Sequence, residues 1–191
     1  MYHISSVKNF LSCKSLVKLY YALVHPHILY CLAAYSFTSA KNRKTIFNKQ
    51  KQIVRIICKA KYNAHSEPLF YNAKILPLED LITQQKLMFM HSIAHNYCPV
   101  NFPFFNFNMD MNNHRFDLRN DNDFYVQRAT STFVQNMPLI SFPSSWNNLD
   151  QNYKSITSKL LFKKSLKSEL LDKYSNFRCD RTLCISCIGS Y

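Results

Sequence analysis

Three thiols near the C-terminus, in the pattern Cys179-x4-Cys184-x2-Cys187, are the residues whose spacing best suits a metal. Zinc takes soft thiolates in a tetrahedral set, and Arg178 and Arg181 beside them fit a small nucleic-acid-binding knuckle. The tail offers no fourth ligand, so one brought in by folding, for example a histidine, is needed to complete the site. His91 and His95 lie four apart on one face of a predicted helix, but no Glu stands between them and the zinc-protease pattern fails. Asp121 and Asp123 form a close acidic pair that reads as a solvated turn, not as a holder of the two divalent ions of phosphoryl transfer. Gly189 is the single glycine, which excludes a Gly-rich phosphate loop, a dinucleotide fingerprint and a nucleophile elbow. The sequence therefore predicts no catalytic residues in the isolated chain, and no cofactor other than zinc at Cys179, Cys184 and Cys187.

The charge is unevenly spread. Of a net +13, residues 1–66 carry eleven Lys and Arg and no acid; Glu67 is the first carboxylate. Residues 67–150 carry five basic and eight acidic groups, and residues 151–191 eight basic and three acidic. An AT-rich codon bias explains the abundance of Lys but not the missing Asp and Glu. A long acid-free segment is the footprint of contact with a polyanion. Seven cysteines, four of them scattered singly, and the lack of a signal peptide pattern point to a reducing, intracellular setting, nuclear or cytoplasmic. Leu19–Phe37 contains no Lys, Arg, Asp or Glu, yet His25-Pro26-His27 at its centre favours a buried helix kinked or broken at Pro26 over a membrane span.

These groups need elements to position them, and the pattern is mainly α. Val7–Leu11 and Ser15–Phe37 read as helical. Asn42–Ala60 is the clearest amphipathic helix, with Ile46, Ile53, Ile57 and Ala60 on one side and Lys44, Lys51, Arg55 and Lys59 on the other. The reading buries Ile53 and Ile57 and exposes Lys51 and Arg55. Ser66 caps a short helix with Pro68 in its first turn, and Pro77 opens Leu78–Asn96, buried through Leu78, Leu81, Ile82, Met88, Phe89 and Ile93. From Pro99 to Asn152 the periodicity collapses, with short strands expected near Phe124–Val126 and Met137–Ile140. Ile156–Tyr174 returns to helix, apolar at Leu160, Leu166 and Leu170 and exposed at Lys163, Lys164 and Lys167. The predicted organisation is a helical basic domain over 1–98, an irregular Asn/Pro-rich connection over 99–152, a basic helix over 153–175 and a Cys-containing tail over 176–191. Lys41, Lys44, Lys51, Arg55, Lys59, Lys163, Lys164 and Lys167 are the candidates for binding an RNA or DNA backbone.

Several runs keep a common order: Leu19-Tyr20-Tyr21-Ala22-Leu23-Val24-His25-Pro26-His27-Ile28-Leu29-Tyr30-Cys31, Phe47 through Ile57, Ala60 through Phe70, and Lys74-Ile75-Leu76-Pro77-Leu78-Glu79-Asp80. With His114, Arg119-Asn120, Arg128, Trp146-Asn147-Asn148-Leu149 and Phe162 through Lys167, they resemble the thumb and post-thumb region of jockey-like non-LTR retrotransposon reverse transcriptases. The resemblance spans about Ser5 to Leu171. It implies a thumb-like helical bundle that helps hold template RNA and target DNA, with upstream polymerase domains of the parent protein as partners. It also implies that the fingers and the palm, with its paired aspartates, precede Met1, so that the chain is a fragment of a longer reading frame. The family continues Trp-Asn-x-Leu with Pro, whereas Asp150 follows here. The reading from another class is an orphan helical protein-interaction module with no nucleic-acid role.

Overall fold

The computed structural model describes residues 2–30, 32, 39–97 and 123–175. They are mainly helical, and no strand lies among them. Two compact units emerge: Met1–Leu81 with the C-terminal stretch from Lys167, and Ile82–Leu166.

In the first unit, α1 (Tyr2–Val7), α2 (Cys13–Leu19), α3 (His25–Tyr30), α4 (Ala40–Ile57) and α5 (Glu67–Ala73) follow in order. Their core gathers Ile4, Leu16, Tyr20, Ile53, Val54, Ile57, Phe70, Ala73 and Ile75. The first predicted helix is displaced: residues 2–7 are helical, and Phe10 and Leu11 close a turn back onto the Val7 carbonyl. The expected break at Pro26 takes a particular form. Tyr20–Val24 is a turn of π-helix in which the His25 N–H donates to the Tyr20 carbonyl. Pro26 has no N–H, and its ring would press on the carbonyl four residues back; a wider turn directly before it relieves that crowding without ending the helical path.

In α4, Ile53 and Ile57 are buried as predicted, joined by Val54. Gln50 lies in the same stripe, a polar residue the pattern did not mark. Its Nε2 donates to the Tyr20 hydroxyl at 3.0 Å and to the Leu76 carbonyl at 2.9 Å, which ties α4 to the segment that follows α5. Burial holds the Tyr20 hydroxyl up at about 12. Ser66 stands at the start of α5, but its side chain caps nothing; its carbonyl accepts from Phe70.

Helix ends are built alike. After α4, Lys59 N–H reaches the Ile56 carbonyl and Ala60 N–H the Arg55 carbonyl; after α5, Lys74 reaches Tyr71 and Ile75 reaches Phe70. Each is a Schellman closure, which requires a residue with positive φ. Glycine ordinarily fills that place. Here Lys59 (φ 52°), Lys74 (φ 53°) and, after α6 (Leu78–Ala94), Asn96 (φ 54°) do so.

The second unit holds most of α6, α7 (Thr132–Gln135), α8 (Pro138–Asn147), α9 (Gln151–Lys154) and the opening turns of α10 (Lys159–Asp172). Both predicted strands are absent. Met137–Ile140 instead starts α8, with Pro138 preset for the first turn. Pro143 within α8 removes one helical N–H, and the burial of Phe142, Pro143 and Trp146 outweighs that loss. Phe124 forms an isolated bridge rather than part of a strand, and a side chain also engages it: its N–H donates to Asn147 Oδ1 at 3.0 Å, and Asn147 Nδ2 donates back to its carbonyl at 2.8 Å. Asp123 is not a solvated turn residue. Its Oδ1 meets Lys154 Nζ at 2.8 Å with both side chains largely buried, and Lys154 donates also to the Asn147 carbonyl. On α10, Leu160 is exposed and Phe162 fills the core position expected of it. Among the described residues no helix is long and apolar enough to cross a membrane.

Candidate nucleic-acid interface

α4 begins without an acidic residue. Ser39 caps it, its Oγ accepting from Asn42 N–H at 3.4 Å, and Lys41, Arg43 and Lys44 crowd the first turns. Cations there oppose the helix dipole and cost about 0.3–1 kcal/mol each. Lys41 and Lys44 are exposed. Arg43 turns to Glu79, with Nε 3.7 Å from Oε1. Lys44 and Arg55, eleven residues apart, fall about 20° from one another around the helix, so both lie on the side opposite the core.

The predicted stripe is only partly a solvent stripe. Lys51 is half-buried, its Nζ 4.3 Å from the centre of the Phe47 ring, and Phe47 stacks in turn on Phe70. An apolar ring one turn away offers the ammonium a π face, so its charge leans toward the core edge. Arg55 is also half-buried. Its Nε donates to the Ala64 carbonyl at 2.9 Å, a bond that leaves the two terminal nitrogens unengaged. Lys59 is exposed but lies past the end of the helix, in the left-handed closure. Lys167, expected to be exposed, is half-buried: Nζ donates to the Tyr21 hydroxyl at 3.0 Å, and that hydroxyl donates to the Lys74 carbonyl at 2.9 Å. Lys163 and Lys164 are exposed on α10 in the second unit.

At the C-terminal end of α4 the first unit opens a cleft of about 580 Å³, lined by Lys8, Asn9, Gln52, Arg55, Ile56, Lys59, Ala60 and Tyr62. Lys8 comes from the turn after α1. Lys61 and Ala64 close a four-residue turn, Ala64 N–H to Lys61 carbonyl at 3.1 Å, which carries Tyr62. Arg55 tethers that turn to α4. The cleft thus joins three cations, two carboxamides and an aromatic ring, with no carboxylate among the described residues of its lining. Sequence reasoning found Arg55 and Lys59 and missed Lys8, Asn9, Gln52 and Tyr62. The alternation Lys59-Ala60-Lys61-Tyr62 carried a signal of basic and aromatic residues together, but nothing local joins Lys8 to it.

The buried histidine of the second unit does different work. His91 is 0% exposed, with Nε2 2.7 Å from the Ile156 carbonyl and its ring 4.3 Å from that of Phe162. Burial lowers its proton affinity, and the hydrogen bond to Ile156 offsets this only in part. It is a core residue. Among the described residues no group of His, Cys, Asp or Glu is placed to hold a metal ion. Cys179, Cys184 and Cys187 lie outside the described residues. Compared with family models, with curated proteins and with solved structures, the chain matches none.

Proposed function

We propose that this chain is a non-catalytic C-terminal portion of an RNA-directed DNA polymerase of the kind it resembles, and that it holds an RNA or DNA backbone against α4. One observation carries the reading: Lys41, Lys44 and Arg55 lie on the side of α4 away from the core, Arg55 lines a cleft with Lys8 and Lys59, and no carboxylate is among the described residues of that lining. The helical first unit supports a thumb-like role. Phosphate contacts of this kind position a strand without reading its sequence. Zinc at Cys179, Cys184 and Cys187 belongs to the same proposal; metal analysis of the purified chain tests it, and zinc content unchanged by Cys184→Ser would remove it.

The test neutralises Lys8, Lys41, Lys44 and Lys59 together to Gln. Lys51 and Arg55 are spared, because one packs on Phe47 and the other holds Ala64. Binding of RNA and DNA should weaken by similar factors across sequences, and the log–log salt slope should flatten by roughly three. An unchanged slope in a variant that keeps its helix content would leave the protein-interaction module as the better reading.

A further inference from the structure

The cleft at the end of α4 contains more than a backbone grip requires. A row of cations suffices to hold phosphates, yet Tyr62 stands in the wall with 90% of its surface exposed. An aromatic side chain so placed gains nothing from the core. Nor is it on a loose loop: the Lys61–Ala64 hydrogen bond, the Arg55–Ala64 tether and the Schellman closure at Lys59 and Ala60 fix the chain on both sides of it. Ile56 supplies an apolar patch beside it, and Asn9 and Gln52 supply amide donors and acceptors. The volume is in the range that encloses one small ligand.

We infer that this cleft takes a single unstacked nucleotide, its base against the Tyr62 ring and its phosphate against Lys8, Arg55 and Lys59. The inference rests on the nucleic-acid reading above and makes it more specific. A base inside a duplex already has both faces covered by its neighbours, so only an unpaired nucleotide can offer a face to the ring. Aromatic platforms flanked by cations bind single strands in this way and tolerate any base, because each has a π face. The carboxamides of Asn9 and Gln52 can meet a base edge, as neither a bare phosphate nor an acidic peptide would require. The first unit is therefore a single-strand binder, selective for unpaired stretches over continuous duplex.

The experiment measures binding of the full chain to a labelled oligothymidylate carrying one central 2-aminopurine, and to a blunt duplex of equal length, at one salt concentration. Wild type should quench the 2-aminopurine and prefer the single strand. Tyr62→Ala should weaken single-strand binding about tenfold and abolish the quench, with duplex binding changed by less than about twofold. Tyr62→Phe should behave as wild type, since the ring face is kept. Tyr62 is exposed, so its removal leaves the core intact, and an unchanged thermal melt verifies this. If wild type binds both nucleic acids and Tyr62→Ala alters both equally or neither, the nucleotide site is overturned while the backbone reading stands. If wild type binds neither, the proposed function fails and takes this inference with it.

Discussion

Asp123 and Lys154 form the most consequential polar contact of the second unit, because their ends are shielded and the lysine also serves the Asn147 carbonyl. Removing one partner leaves a buried charge alone. Asp123→Ala should therefore cost about 3–5 kcal/mol in urea denaturation, whereas Asp123→Leu with Lys154→Met should cost far less. Equal losses for both would show that the pair is better solvated than its burial indicates. His91 gives a second test at this scale. Its Nε2 proton is directed at Ile156, and Nδ1 is buried without a partner, so a second proton has nowhere favourable to sit. Its folded-state affinity lies below the ordinary 6.5. The unfolded chain thus takes up a proton first, and stability is lost as pH falls through about 6.5, by at most about 1.4 kcal/mol per pH unit. His91→Phe should be flatter in that window, and an identical pH slope in the two proteins would count against the assignment. Neither role could be read from sequence, because Asp123 meets Lys154 across 31 positions and His91 meets Ile156 across 65.

At the scale of the element, three helix ends use Lys or Asn where the backbone favours glycine. A side chain in the left-handed region is strained against its own carbonyl. Lys74→Gly should accordingly stabilise the protein by about 0.5–1 kcal/mol, visible as a raised denaturant midpoint with unchanged slope. A lowered midpoint would mean that the Lys74 side chain contributes more than its conformation costs. Period alone made α4 and α6 legible, since both carry long apolar stripes. It failed where a non-local partner decides the outcome. α8 contains two prolines and declares itself only through Pro138 at its start, while Pro143 argues against a helix until Phe142 and Trp146 are buried with it. The Phe124 segment has strand-like residues, but the amide of Asn147 occupies its backbone groups. In α2–α3 the sequence located the disturbance at Pro26, and the backbone absorbs it one turn earlier.

For the molecule as a whole, the first unit is completed by residues from the far end of the chain. Leu170 and Leu171 are buried, the Tyr174 hydroxyl donates to Asp80, and Lys167 reaches Tyr21. A chain ending at Leu166 should lose several kcal/mol, since each buried leucine alone is worth about 1.5–3 kcal/mol, and trypsin should cut it faster at Lys14 and Lys18. Equal resistance of the shortened and the full chain would show that the residues from Lys167 to Ser175 add nothing. This closure is invisible to local patterns, though the mainly helical class and the basic character were plain from one glycine and the acid-free first 66 residues. Primer extension should be absent from the purified chain, and activity above a mock preparation would refute the non-catalytic reading.

Lys59 combines two duties: it completes the end of α4 in a conformation that suits glycine, and it lends its charge to the cleft. Any substitution there sets robustness against affinity. Lys59→Gly would relax the backbone and remove a cation in one step, yielding a hardier protein that grips less. A lineage selected for persistence alone would drift toward glycine at this position, and one still selected for binding would keep the lysine and tolerate the strain. The residue found there in related chains would thus record which demand has prevailed.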